Sequence, residues 1–117
     1  YGYRKNLYSE VVNTFSRYGL PVDESSIALR KGLFQETWPH WSQRPIAFVH
    51  IDCDWYDPVR YCLNSVCNLI APDGVILLDD YHDYGGARTA TQEFSQTHTN
   101  FKFEDGANVV LRRKDAD

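Results

Sequence analysis

The stretch "IAFVHIDCDWYDP", Ile46 to Pro58, runs through an apolar segment of strand length, ends it on Asp52 and Asp54, and then offers Asp57-Pro58. A continuous apolar run of this kind predicts a strand over Ile46–Ile51, covered on both faces. Asp57-Pro58 predicts a helix start, an N-cap followed by proline at the first helical position. Val59, Cys62, Leu63, Val66, Leu69 and Ile70 then supply a stripe with the 3.6-residue period of a helix. "APDG" (Ala71 to Gly74) reads as a turn, and Val75 to Leu78 as a second buried strand that ends on Asp79 and Asp80. The unit is strand, helix, strand, and both strands close on carboxylates. Burying a carboxylate without a partner is expensive, so those ends need an explanation.

Working outward, Leu7, Val11 and Phe15 recur at helical spacing, and Gly19 and Pro21 close the stripe. "SSIALRKG" (Ser25 to Gly32) predicts a short strand, and "GLFQETWPHWSQRP" a loop with at most one helical turn. From about Ala87 to Gln96, Ala87, Ala90, Thr91 and Phe94 share a helix face. "FKFE" (Phe101 to Glu104) and "NVVLRR" (Asn108 to Arg113) flank Asp105-Gly106, so a closing hairpin is expected. Alternating strands and helices predict an α/β fold, a mostly parallel sheet ending in an antiparallel hairpin. In such sheets ligands bind beyond the carboxyl ends of the strands, where Asp52, Asp54, Asp79 and Asp80 all fall.

The chain has 117 residues, enough for a single domain with one core. A net charge of −4 argues against a general nucleic-acid binder. No apolar run approaches membrane-spanning length, and the polar, aromatic N-terminus is not a signal peptide. Cys53, Cys62 and Cys67 lack metal-ligand spacing and read as free thiols, which suits a reducing, cytoplasmic setting. There is no methionine, and position 1 is Tyr1, so the chain reads as a piece of something longer.

If the two strands are parallel neighbours, Asp52 or Asp54 meets Asp79 and Asp80. Converging carboxylates raise one another's pKa, and a divalent cation removes the conflict. Oxygen ligands suit Mg²⁺, Mn²⁺ or Ca²⁺. The alternative is plain capping and turn chemistry, with Asp57 a helix cap and Asp80 or Asp83 a cap for the next helix. His82 is either a ligand or base or simply an exposed loop residue. His40, His50 and His98 have no visible partners. Trp38, Trp41 and Trp55 either line an acceptor pocket or, for the first two, pack the loop. Gly85-Gly86 shapes the turn into the last helix.

The stretch from Ile46 to Phe94, with its D-x-D-x-Y at Asp52-Cys53-Asp54-Trp55-Tyr56, D-D-Y at Asp79-Asp80-Tyr81 and G-x-R-x-A at Gly86 to Ala90, resembles the macrocin O-methyltransferase (TylF-like) family. These are S-adenosylmethionine-dependent sugar O-methyltransferases of antibiotic biosynthesis. The segment from Arg17 to Pro39 is similar too. The resemblance implies a Rossmann-like class I methyltransferase fold and a Mg²⁺-type ion held by Asp52, Asp79 and Asp80. It implies Asp54 as general base toward a small-molecule sugar hydroxyl. Cys53 stands where a glycine is usual, Trp55 replaces an aliphatic residue, and Pro72-Asp73-Gly74 lacks a second glycine. The glycines form no G-x-G-x-x-G, so the residues expected to hold S-adenosylmethionine are unknown in this chain. The resemblance therefore fits the C-terminal half of such an enzyme, possessing no activity by itself and prone to self-association through uncovered sheet edges. The alternatives are a truncated, non-catalytic α/β module that keeps the acidic pocket and, more remotely, a metal-dependent hydrolase. The latter wants a nucleophile or phosphate loop, and neither is seen.

Overall fold

The computed structural model describes residues 6–40 and 44–114. Two compact units divide the chain, Tyr1–Thr37 and Trp38–Asp117. Trp41 lies outside the described residues.

In the first unit the helical stripe forms α1 (Leu7–Arg17). Gly19, at φ 72, ends it, and the amides of Tyr18 and Gly19 return to the carbonyls of Phe15 and Ser16. The strand expected over Ser25–Gly32 is not there. Asp23 Oδ1 accepts the amides of Ser25 at 3.0 Å, Ser26 at 2.7 Å and Ile27 at 3.2 Å. Those donors are committed to a local turn, and a ladder has none of them to use. These bonds also lower the Asp23 pKa from its ordinary value. Beyond Gly32 a single helical turn, α2 (Phe34–Thr37), forms as the loop reading allowed.

The second unit opens with a 3-10 turn at Trp38–His40 and holds a four-stranded sheet in the order β1-β2-β4-β3. Its strands are β1 (Ile46–Ile51), β2 (Ile70–Leu78), β3 (Phe101–Glu104) and β4 (Val109–Arg113). β1 and β2 are parallel, while β2–β4 and β4–β3 are antiparallel. The α/β class and the closing hairpin stand as read, but the sheet is mixed rather than mostly parallel.

Helix α3 (Tyr56–Val66) connects β1 to β2, and α4 (Gly85–Thr97) connects β2 to β3. α3 begins at Tyr56 behind Trp55, not behind an Asp57 cap, and no side chain caps it. The backbone allows this because Pro58 still lies in the first turn, where amides have no intrahelical acceptor. The bond from the Val59 amide to the Trp55 carbonyl, 3.2 Å, closes that turn. α4 likewise starts behind Tyr84 without a side-chain cap, so neither Asp80 nor Asp83 serves there.

Val59, Leu63 and Val66 of α3 and Ala87, Ala90, Thr91 and Phe94 of α4 are buried, as the periodicity requires. They form one core with Ile51, Ile76, Leu78, Val109 and Leu111. Ile70, counted with the helical stripe, belongs to β2, where it pairs with Ile46. The "APDG" turn lies inside β2 as a bulge: β1 advances from Ile46 to Phe48 while β2 advances from Ile70 to Val75. Asp73 sits at φ 64, and a Cβ on Gly74 would come within 2.8 Å of the Ala71 carbonyl oxygen. β1 is not covered on both faces as its apolar run suggested, because Phe48 is 58% exposed.

Candidate functional site

Strand alternation decides where each carboxylate goes. Val49 and Ile51 of β1 turn toward the core, while Phe48 and His50 turn away. On β2 the neighbouring pairs are Ile76 and Leu78, buried, against Val75 and Leu77, half-buried. The ladder runs one step past the end of β2, with the Asp79 amide donating to the carbonyl of Ile51, the last residue of β1, at 3.0 Å. Asp52 and Asp79 therefore emerge side by side at the carboxyl ends of adjacent parallel strands. Asp80, next along the chain, turns inward and is only 8% exposed.

One carboxylate oxygen from each of Asp52, Asp79 and Asp80 lies within 4.8 Å of the others. Asp80 Oδ2 is buried and has no hydrogen-bond partner. Burial, a hydrogen bond with Asp52 and the charges of Asp54, Asp52 and Asp79 push the Asp80 pKa up to about 6. A compact, anionic, all-oxygen donor set with an orphaned buried oxygen is what a hard divalent cation satisfies. The residues present fit such an ion.

The loop that follows is well tied. Asp79 to Asp83 form a turn in which the amides of Asp83 and Tyr84 donate to the Asp80 carbonyl at 3.2 and 3.0 Å. From α4, Arg88 donates to the His82 carbonyl at 3.0 Å and lies 5.9 Å over the Tyr81 ring, while Gln92 donates to the Tyr81 hydroxyl at 3.2 Å. His82 Nε2 is 3.0 Å from both Asp105 Oδ1 and the Gly106 carbonyl, so it fastens this loop to the β3–β4 hairpin. Its loop placement was legible; its partners, more than twenty positions away, were not. Gly86 allows α4 to start against α3, since a Cβ there would be 2.8 Å from the Tyr56 amide nitrogen.

Asp54 is half-buried in the segment between β1 and α3, near enough for its charge to act on Asp80. Cys53 and Cys62 are neighbouring free thiols; the Cys62 thiol first, then burial, raises the Cys53 pKa. Trp55 is 62% exposed, with its ring centroid 6.4 Å from that of Tyr84. Trp38 instead packs against the core. The sequence reading left His50 without a partner, yet its Nε2 is 3.3 Å from Asp79 Oδ1. His98 stacks on Phe94, with centroids 3.9 Å apart.

Solved methyltransferases share this architecture. The O-methyltransferase NovP superposes with a TM-score of 0.79 at 21% identity, over 91% of this chain and 44% of its own. CalS11, a TDP-rhamnose 3'-O-methyltransferase of calicheamicin biosynthesis, gives 0.69 at 18% identity, over 95% of this chain and 51% of its own. The fold is thus that of the α/β methyltransferases. Residues 6–105 match the macrocin-O-methyltransferase (TylF) family, and the chain belongs to it. A curated relative is the 8-demethyl-8-(2,3-dimethoxy-alpha-L-rhamnosyl)-tetracenomycin-C 4'-O-methyltransferase of Streptomyces olivaceus, 29% identical over 112 residues. That match takes in 88% of this chain but 40% of the relative.

Proposed function

We propose that this chain forms the metal- and acceptor-binding part of an S-adenosylmethionine-dependent O-methyltransferase acting on a sugar or similar small-molecule hydroxyl. The observation that carries the proposal is the convergence of Asp52, Asp79 and Asp80 within 4.8 Å at parallel strand ends, in a chain of the macrocin-O-methyltransferase family. Asp52, Asp79 and Asp80 would hold Mg²⁺, with Mn²⁺ or Ca²⁺ as the other cations such oxygens take. When bound, the ion supplies Lewis-acid polarisation of an acceptor hydroxyl, and S-adenosylmethionine supplies the methyl group. Asp54 would be the general base, accepting the proton of the acceptor hydroxyl. Trp55, exposed beside Tyr84, offers a flat apolar wall against which a sugar ring can lie. Rhamnose chemistry in two similar proteins supports a deoxysugar as the acceptor class.

The place of β1 at the end of the strand order among the described residues and the exposed Phe48 support self-association of the chain, which light scattering across a dilution series would detect. For activity, the test is a chimaera in which this chain replaces the matching segment of the Streptomyces olivaceus relative. Methyl transfer from labelled S-adenosylmethionine to a rhamnosyl acceptor, stopped by chelator and by Asp54→Asn, is the expected result. Transfer that survives both treatments refutes the assignment.

A further inference from the structure

The acidic cluster poses a positioning problem that its own members do not solve. Three carboxylates facing one another repel, and a side chain with access to water relieves the strain by rotating outward. Asp80 cannot do so, because it is buried. Asp79 can: its side chain is 39% exposed. A cation site needs Asp79 to stay turned toward Asp52 and Asp80 while no ion is there to attract it.

His50 meets that need from the neighbouring strand. It pairs in register with Leu77, so Asp79 is its diagonal neighbour on the same face, within reach of a long side chain. Its Nε2 lies 3.3 Å from Asp79 Oδ1. An ionised carboxylate only accepts, so the imidazole donates from Nε2. Asp52, two residues beyond His50, leaves the same strand. The contact thus ties the β2 carboxylate to the strand that bears its co-ligand.

We propose that His50 is a positioning residue, which holds Asp79 in the orientation that completes the cation site with Asp52 and Asp80. This rests on the metal reading above. Partners that hydrogen-bond to metal-ligating carboxylates commonly change metal affinity by about 10- to 100-fold when removed, and His50 falls in that class.

The experiment uses the 117-residue chain without its cofactor and reads free Mn²⁺ by electron paramagnetic resonance during titration. His50→Leu removes the donor, and Asp79→Asn is the ligand control. His50→Gln keeps an N–H at nearly the same reach. We expect His50→Leu to weaken Mn²⁺ binding by about 10-fold or more and His50→Gln to recover most of the loss. The metal-free thermal midpoint of His50→Leu should match that of the parent, since an exposed contact contributes little to folding. Parental Mn²⁺ affinity in His50→Leu, with Asp79→Asn impaired, overturns the role of His50 and leaves the metal reading standing. A His50→Gln variant no better than His50→Leu also overturns it. A parent chain that binds no Mn²⁺ sinks the metal reading, and the role of His50 with it.

Discussion

Asp80→Asn isolates the energetic demand of the acidic cluster. Asp80 is 8% exposed, one of its oxygens has no partner, and its pKa is pushed up from 3.8 to about 6. Below pH 3.8 the native and unfolded chains both hold the proton, and the group does not alter stability. Between 3.8 and about 6 the unfolded chain releases its proton first. Native stability therefore falls as pH rises through that window, and the whole penalty stands above it. A rise of roughly two units at about 1.4 kcal/mol each sets an upper bound of about 3 kcal/mol at neutral pH, which solvent screening reduces. Asparagine keeps the shape and removes the charge, so the metal-free variant should gain about 1–3 kcal/mol over the parent at pH 7.5 and almost nothing at pH 4.

Urea unfolding in chelator, at half-unit pH steps, measures this. Glu104, whose pKa the Arg112 guanidinium lowers, and Asp23, lowered by backbone amides, contribute with the opposite sign. Both are present in both proteins and cancel in the difference. With Mg²⁺ at about 1,000 times its Kd the order should invert, because the ion stabilises only the protein that binds it, by about 4.1 kcal/mol. Parallel stability curves for parent and variant across pH 4 to 7.5 would refute the argument.

The other expectations can be checked on the same material. Asp79→Asn should weaken Mg²⁺ or Mn²⁺ binding at least about 10-fold, read by calorimetry, since it removes an anionic ligand from a set of three. Gly86→Ala should cost about 1–3 kcal/mol in urea unfolding, because its Cβ meets the Tyr56 backbone nitrogen at 2.8 Å and helix backbone does not yield cheaply. Leu63→Ala, at a fully buried position of α3, should cost about 2–5 kcal/mol in the same assay. Titrated with S-adenosylmethionine, the 117 residues as they stand should show little affinity, since their glycines form no G-x-G-x-x-G. Tight stoichiometric binding would overturn that expectation.

Period and spacing made most of the fold legible. Apolar runs gave β1 and the core half of β2, and the 3.6-residue stripe gave the buried face of α4 residue by residue. Three of the errors share a cause: a local signal yielded to a hydrogen-bond competitor. Ser25–Gly32 has strand-like residues, but Asp23 captures the amides of Ser25, Ser26 and Ile27. Asp57-Pro58 looks like a helix start, yet backbone bonding begins the helix at Tyr56. Ala71–Gly74 has turn composition, but pairing of Ile46 with Ile70 absorbs it as a bulge. Within the site, the residues ending apolar runs could be named because chain position alone places them. His50, Arg88 and Gln92 could not, because their partners lie on other elements or turns.

The doublet Asp79-Asp80 makes physical sense only at a strand end. Alternation sends consecutive side chains to opposite faces, so one carboxylate stays in reach of water and of His50 while the other is drawn toward the core. The exposed member can be oriented by a neighbour at small cost, and the buried one supplies an electrostatic demand that water cannot meet. Asp52 completes the set from the adjacent strand because parallel pairing aligns the two carboxyl ends, which an antiparallel pair would separate. The parallel β1–β2 pair is the only parallel pairing among the described residues, and the cluster lies at its carboxyl end. Two hydrophobic segments end on carboxylates, and the buried Asp80 oxygen left without a partner there is the feature on which the proposed divalent-ion site rests.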